Sequence, residues 1–247
     1  LQLDSPVLTT AEFQAMRAYM GKIAAEIDCT FDVNGGENAL RDAIQSIRRQ
    51  SEDAVREGAT HLILTDENVS AGRAAIPTIL ATGAVHVHLL RQQLRTFTSL
   101  NVRSGECLDV HHFAVLIGVG ATTVNAYVAE AAIEDRRRRG LFGESSLDDC
   151  LDRYRKAVDQ GLLKVMSKMG IAVISSYRGG ANFEALGLSR TLVAEYFPAM
   201  ASRISGIGMT GIQRRVLALH ARAWSEDFVA LPVGGFYKFR KSGETHA

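Results

Sequence analysis

The side chains that could do chemistry are few and widely spaced. His86-Val87-His88 has the spacing of a metal pair if it lies on a strand, where residues i and i+2 share a face. The residues after it, 89–94, continue a helical pattern, and on a helix the two rings diverge and cannot share an ion. His111 and His112 are adjacent, so on a helix they too face different directions. With no acidic residue at ligand spacing, no metal is expected. Two glycine segments could present backbone N–H groups to a phosphate. Gly118-Val119-Gly120-Ala121-Thr122-Thr123 precedes a strand instead of following one, and reads as a helix-to-strand turn. Arg178-Gly179-Gly180 follows a predicted strand and precedes a short helix, the order of a loop that meets a ligand or a partner. Asn101, Arg103, Asn125, Tyr127, Ser176, Tyr177 and Arg178 all fall at the carboxyl ends of predicted strands. In a barrel those ends converge on one rim, so the seven form either a polar site or a self-satisfied structural network. No Gly-x-Ser-x-Gly, P-loop or obvious nucleophile–base pair accompanies them.

The elements that must carry these residues alternate. Thr9-Thr10-Ala11-Glu12 is a capping box that starts a helix reaching about Met20. Residues 26–31 suit a strand. Over 37–57, Leu40, Ala43, Ile44, Ile47, Ala54 and Val55 form one stripe, with Arg41, Asp42, Gln45, Arg48, Arg49 and Asp53 opposite, so this helix belongs on the outside of the fold. Strands are expected at 61–65, 96–102, 122–127, 171–175 and 229–233. Helices are expected from Pro77 to about Gly83, then over 86–94, 108–117, from 127 to Arg139, 147–169, 190–196 and 211–224. Alternation of this kind forces a parallel sheet, each helix being the crossover between neighbouring strands. The expected fold is α/β: a TIM-like (βα)8 barrel, complete or short of strands, with an open doubly wound parallel sheet as the alternative. Residues 1–233 form the domain, and 234–247 read as a linker.

Composition narrows the class. The chain has 247 residues, 47% hydrophobic and 22% charged, which excludes disorder and coiled coil as whole-chain descriptions. Its 28 basic and 27 acidic residues leave a net charge of +1, without the basic excess of a nucleic-acid binder. No apolar run is long enough to span a membrane; the longest, 113–120, is far too short. Cys29, Cys107 and Cys150 are odd in number and far apart, as expected of reduced, buried thiols in a cytoplasmic protein. The basic run Arg136-Arg137-Arg138-Arg139 sits in the last turn of a helix, where cations complement the macrodipole. Neither end has the look of a natural terminus, and an excised domain is expected.

Several segments, in order, resemble one family. Leu3-Asp4-Ser5-Pro6-Val7-Leu8-Thr9 opens the chain, and Ala81-Thr82-Gly83-Ala84-Val85-His86 leads to Arg95-Thr96-Phe97-Thr98-Ser99. The run from Gly161 to Gly170 leads to Ser175-Ser176-Tyr177-Arg178-Gly179, followed by Phe183-Glu184-Ala185-Leu186-Gly187-Leu188 and Ser202-Arg203-Ile204-Ser205-Gly206. Together they are similar to the central domain of the glutamate synthase large (alpha) subunit. The resemblance implies a parent chain in which an amidotransferase domain releases ammonia from glutamine. An internal tunnel carries the ammonia to an FMN-binding barrel, where it reacts with 2-oxoglutarate and reduced FMN to give glutamate. An iron–sulfur cluster passes in the electrons, and a small electron-transfer subunit is a further implied partner. The central domain links the two catalytic domains, so no catalytic, cofactor-binding or metal residue is carried over, and the domain alone is expected to be inactive. Arg136 to Arg139 and the Arg178 loop are the expected interdomain contacts. Two other readings stay open: a stand-alone barrel binding a phosphorylated metabolite near Asn125 and Arg178, and a metal-dependent hydrolase using His86 and His88.

Overall fold

The capping box at Thr9 does what its sequence predicts: its hydroxyl accepts from the Glu12 N–H, and the Glu12 carboxylate accepts from the Thr9 N–H. In the computed structural model, which describes residues 2–225, this box opens α1 (Thr10–Met20). The chain continues through β1 (Ala24–Asp28), β2 (Thr30–Asp32), α2 (Ala39–Arg56), β3 (His61–Thr65), β4 (Arg73–Ala75), α3 (Thr78–Arg91), β5 (Ser99–Arg103), α4 (Val110–Gly118) and β6 (Thr123–Asn125). Then follow α5 (Tyr127–Arg138), α6 (Leu147–Lys168), α7 (Ile174–Tyr177), β7 (Glu184–Leu188), α8 (Arg190–Tyr196), β8 (Ala201–Ile207) and α9 (Met209–Ala223). The strand expected at 229–233 and the linker at 234–247 lie outside the described residues.

The fold is α/β. Its centre is a four-stranded parallel sheet in the order β1-β3-β5-β6, with α2, α3 and α4 as successive crossovers. Val7 adds a parallel bridge to Val124 beyond β6. Strand order follows chain order with no reversal, so the sheet is not doubly wound, because that topology turns back at a switch point. Nor does it close: among the described residues β7 and β8 pair only with each other, and β2 pairs antiparallel with β4. A complete (βα)8 barrel is therefore not formed; the central strands run parallel in chain order, as in a barrel short of strands, but the sheet stays open and carries two small side sheets.

The barrel expectation fails first at 171–175. Gly170 adopts φ +70° after α6, and the apolar run that follows has no strand beside it to pair with. It instead enters α7, whose Tyr177 is buried and donates from its hydroxyl to the Ala114 carbonyl of α4. Other boundaries also move. The two helices expected over 77–94 are one continuous α3, and residues 95–97 are a 3-10 turn before β5.

Burial follows the pleat. Leu62, Leu64 and Leu100 face α2 and α3 in the largest core cluster, which residues of α8 and β7 complete. Val102 and Val124 join Phe113, Ile117, Val158 and Leu162 between the sheet, α4 and α6. Ile63 points the other way, into a third cluster with Phe13, Met16 and Met20 of α1. Of the stripe on α2, Leu40, Ile44, Ile47 and Val55 are buried as expected, but so is Arg48, which was expected on the outer face. The cause is α8, which covers that flank and lays the Tyr196 ring 4.6 Å from the Arg48 guanidinium carbon.

Candidate functional site

The polar candidates of β5 and β6 meet on the face of the sheet that α1 covers. Alternation sends Leu100 and Val102 toward the helices on the other side, leaving Asn101 and Arg103 beside Thr123 and Asn125, their register partners. Asn101 is buried with its amide satisfied: it donates to the Leu62 carbonyl at 3.2 Å and accepts from the Thr123 hydroxyl at 2.9 Å. Arg103 is held by Glu67 at 2.7 Å, donates to the Asn125 side-chain oxygen Oδ1, and lies over the rings of Phe13 and Tyr127. Asn125 donates to the Leu8 carbonyl at 2.9 Å and to Glu130 at 3.0 Å, and Glu130 in turn accepts from the Thr10 N–H in the first turn of α1. The Tyr127 hydroxyl donates to Asp66 at 2.9 Å, which also accepts from the Gly105 N–H and the Ser104 hydroxyl.

The electrostatics match a closed network. Burial raises the carboxyls of Asp66, Glu106 and Glu130 above the ordinary range, even though each accepts hydrogen bonds that pull the other way. The Arg103 guanidinium beside Glu67 lowers that carboxyl. Tyr127 is pushed up by burial and by the negative charge of Asp66. Next to this network, at the start of α3 and α4, lies a cavity of about 480 Å³ lined by Thr78, Ser104, Glu106, Cys107, His111 and His112. Glu106 accepts from the Thr78 N–H at 2.7 Å, and His112 completes a capping box with Asp109. The Cys107 thiol is raised by burial, the reverse of an activated nucleophile.

Asn101, Arg103, Asn125 and Tyr127 thus come together, but Ser176 and Arg178 do not join them. The Gly179 and Ala181 N–H groups bond the Ile117 and Gly118 carbonyls at the end of α4, where the chain enters β6. Arg178 therefore stands at the amino end of the sheet, opposite the rim, with Ser176 exposed on α7. Sequence reasoning missed Asp66, Glu67, Ser104 and Glu130. The first two directly follow the predicted strand 61–65, so the rule that selected Asn101 and Arg103 pointed to them as well.

The remaining motifs have separate surroundings. His86 accepts from Arg95 at 3.0 Å and is lowered to about 4 by burial, so its ring is neutral, while His88 pairs with Glu52 at 2.7 Å. His111 packs edge-on against Phe183. Among the described residues no three His, Cys, Asp or Glu side chains could hold one metal ion. The segment 118–123 is the helix-to-strand turn expected of it: Gly120 has φ +123°, and a Cβ there would sit 2.4 Å from the His86 ring. Cys29, Cys107 and Cys150 are all buried and form no disulfide. Arg136 to Arg139 are exposed at the end of α5, with Arg138 and Arg139 near Asp135. No helix among the described residues is long and apolar enough to cross a membrane.

With this geometry in hand, comparison with known proteins decides the family. Residues 1–189 match the family model of the glutamate synthase central domain. The chain belongs to the glutamate synthase central domain family. Over 246 residues it is 71% identical to the glutamate synthase [NADPH] large chain of Azospirillum brasilense, covering 100% of this chain and 16% of that one. It is 36% identical to the glutamate synthase [NADH] of Saccharomyces cerevisiae, covering 100% of this chain and 12% of the other. It is 34% identical to the ferredoxin-dependent glutamate synthase 2 of Synechocystis, covering 100% and 16%. The central domain described here therefore spans about a sixth or less of the length of these relatives.

Proposed function

We propose that this domain is a non-catalytic spacer in a glutamate synthase. It joins a glutamine amidotransferase domain to an FMN-binding domain that uses 2-oxoglutarate, and it supports the passage of ammonia between them during glutamate biosynthesis. The observation that carries the reading is the consumption of every polar candidate at the sheet rim by another group of the same domain. Arg103 is taken by Glu67 and Asn125, and Asp66 by Tyr127, Ser104 and Gly105. A fully paired network rigidifies, and a rigid body is what a spacer must be. Free ammonia at neutral pH is mostly protonated and diffuses away, so two reaction centres gain only if the distance and path between them are fixed.

The relatives named for NADPH, NADH and ferredoxin all contain a matching segment, which supports placing the electron donor's contacts, including those of a small electron-transfer subunit, outside this domain. The residues here also do not fit an iron–sulfur cluster. Cys29 and Cys107 lie in different core clusters, and burial raises both thiols, whereas a cluster needs thiolates together. This supports placing the cluster in another part of the parent enzyme. A phosphorylated-metabolite site built from Asn125 and Arg178 is not supported, because those residues stand at opposite ends of the sheet.

The test has two arms. The 247-residue chain alone should purify colourless and turn over neither glutamine nor 2-oxoglutarate. In a full-length enzyme carrying this domain, Asn125→Ala should increase the ammonia escaping per glutamate formed while glutamine hydrolysis persists. Stoichiometric flavin or turnover in the first arm, or unchanged ammonia escape in the second, refutes the proposal.

A further inference from the structure

The unit β7–α8–β8–α9 has a feature that the spacer role does not use. The two strands are parallel, and across the junction of β8 and α9 the chain reads Gly206-Ile207-Gly208-Met209-Thr210-Gly211. This is a Gly-x-Gly-x-x-Gly run that follows a strand and opens a helix, the context in which such a run presents backbone N–H groups to a phosphate. Two of its glycines have packing reasons. A Cβ on Gly206 would lie 2.1 Å from the Gly187 carbonyl oxygen, and one on Gly211 would lie 2.8 Å from Ile207. Gly208 has neither reason. Its φ is −95°, open to any residue, and a Cβ would meet nothing closer than the Ser189 hydroxyl at 3.5 Å. As the N-cap of α9 it offers no side chain to the first-turn N–H groups, and Gly208, Met209, Thr210 and Gly211 line a cavity of about 390 Å³.

A second observation is independent of the helix. Tyr196 lines the same cavity, is 1% exposed, and its hydroxyl has no hydrogen-bond partner. Burial first, and then the neighbouring Glu195 carboxylate, push the phenol up, but Glu195 does not meet hydrogen-bonding geometry with it. Behind the Tyr196 ring, Arg48 is 6% exposed with Nε and Nη2 likewise unpartnered. A buried hydroxyl and two buried guanidinium nitrogens left unpaired are costly unless something else engages them. Arg41 lies on the cavity wall, exposed and in no ion pair with a described residue. Glu195, the acid on that wall, is already matched by Arg48 at 3.1 Å, so Arg41 leaves the local balance positive.

We propose that this cavity is a phosphate-binding site, formed by the first turn of α9 at Gly208, the Tyr196 hydroxyl, Ser189 and Arg41. Its ligand is inorganic phosphate or the phosphomonoester of a small metabolite. The spacer role neither requires nor excludes the site.

Calorimetric titration of the full chain with inorganic phosphate, and separately with adenosine 5′-monophosphate, at constant ionic strength tests the proposal. Saturable binding with one site per chain is expected. Tyr196→Phe should weaken it about tenfold, the loss of one hydrogen bond to a charged group. Arg41→Gln should weaken it severalfold, and Gly208→Val should abolish it. Tighter binding of the monophosphate identifies a metabolite ligand, and equal binding identifies free phosphate; both support the site. Absence of saturable binding at millimolar phosphate overturns it, as does affinity unchanged in Tyr196→Phe. If Gly208→Val fails to fold, the wild-type and Tyr196→Phe titrations still decide.

Discussion

Replacing Arg103 separates a scaffold from a ligand site. The side chain is 11% exposed and makes three kinds of contact: an ion pair with Glu67, a hydrogen bond to Asn125, and ring contacts with Phe13 and Tyr127. The Asn125 bond involves a charged donor, so its loss costs about 1.5–3 kcal/mol. Glu67 is 37% exposed, so solvent screening holds that pair to about 0.5–1 kcal/mol. Each ring contact adds about 0.5–1 kcal/mol. Releasing the guanidinium from its desolvated position returns part of this sum, so Arg103→Met should cost about 2–4 kcal/mol. Arg103→Lys keeps the charge but loses the fork and the stacking, and should cost roughly half as much. In urea unfolding at neutral pH, with a slope of about 2–3 kcal/mol/M for a chain of this size, the methionine variant should move the midpoint down by about 1 M with the slope unchanged. Residues kept for a ligand usually cost stability, so their removal is neutral or stabilising. A midpoint that stays put or rises in Arg103→Met would refute the structural reading of the whole network.

Two carboxyls one residue apart should have opposite pH behaviour. Glu67 is lowered in the folded state, chiefly by its hydrogen bond to Arg103, so it stabilises above its unfolded value and that contribution fades as pH falls through the folded one. Asp66 is raised by burial, so its contribution is complete below the unfolded value and fades as pH rises through the folded one. Urea midpoints measured across the acid range should therefore show Glu67→Gln losing the acid-side decline and Asp66→Asn losing the decline on the other side; parallel profiles would contradict both assignments. Gly120→Ala should cost about 2–5 kcal/mol, from backbone strain at φ +123° together with a clash 2.4 Å from the His86 ring. Pairing it with His86→Ala should recover the steric share in a double-mutant cycle, whereas strict additivity would show that the clash is absent.

How much was legible depended on what decided each element. The capping box at Thr9, the stripe on α2, the strand 61–65 and the short helix 190–196 rest on local rules, and the structure places them where those rules do. The parallel order of the first four central strands follows from alternation alone. Failures begin where tertiary partners decide. The run 171–175 is apolar enough for a strand but has no neighbour to pair with. Residues 184–188 and 201–207 form a parallel pair although Gly187, Arg203 and Gly206 are poor strand residues, because each strand supplies the other's hydrogen-bonding edge. Arg48 reads as solvent-facing on its helix and is buried only because α8 arrives from about 150 residues later in the chain. Four of the seven rim candidates come together because they follow strands that exist. Ser176, Tyr177 and Arg178 do not, because the strand expected before them is absent.

That split bears on what the domain can do. The face of the sheet under α1 is polar across Asn101, Arg103, Thr123 and Asn125, yet each is bonded within the domain. Its bonds also tie α1 to β6 through Glu130 and Thr10, so a ligand inserted there would have to break the N-terminal anchoring of the first helix. The two-stranded unit at β7 and β8 is the reverse case. It packs its apolar side into the main core through Ala185, Leu192 and Val193, but leaves the Tyr196 hydroxyl, two Arg48 nitrogens and the first turn of α9 without protein partners. Groups already paired hold geometry, and groups left unpaired are available to respond. The physical capacity of the domain to respond to a ligand lies in that side unit and not at the sheet rim.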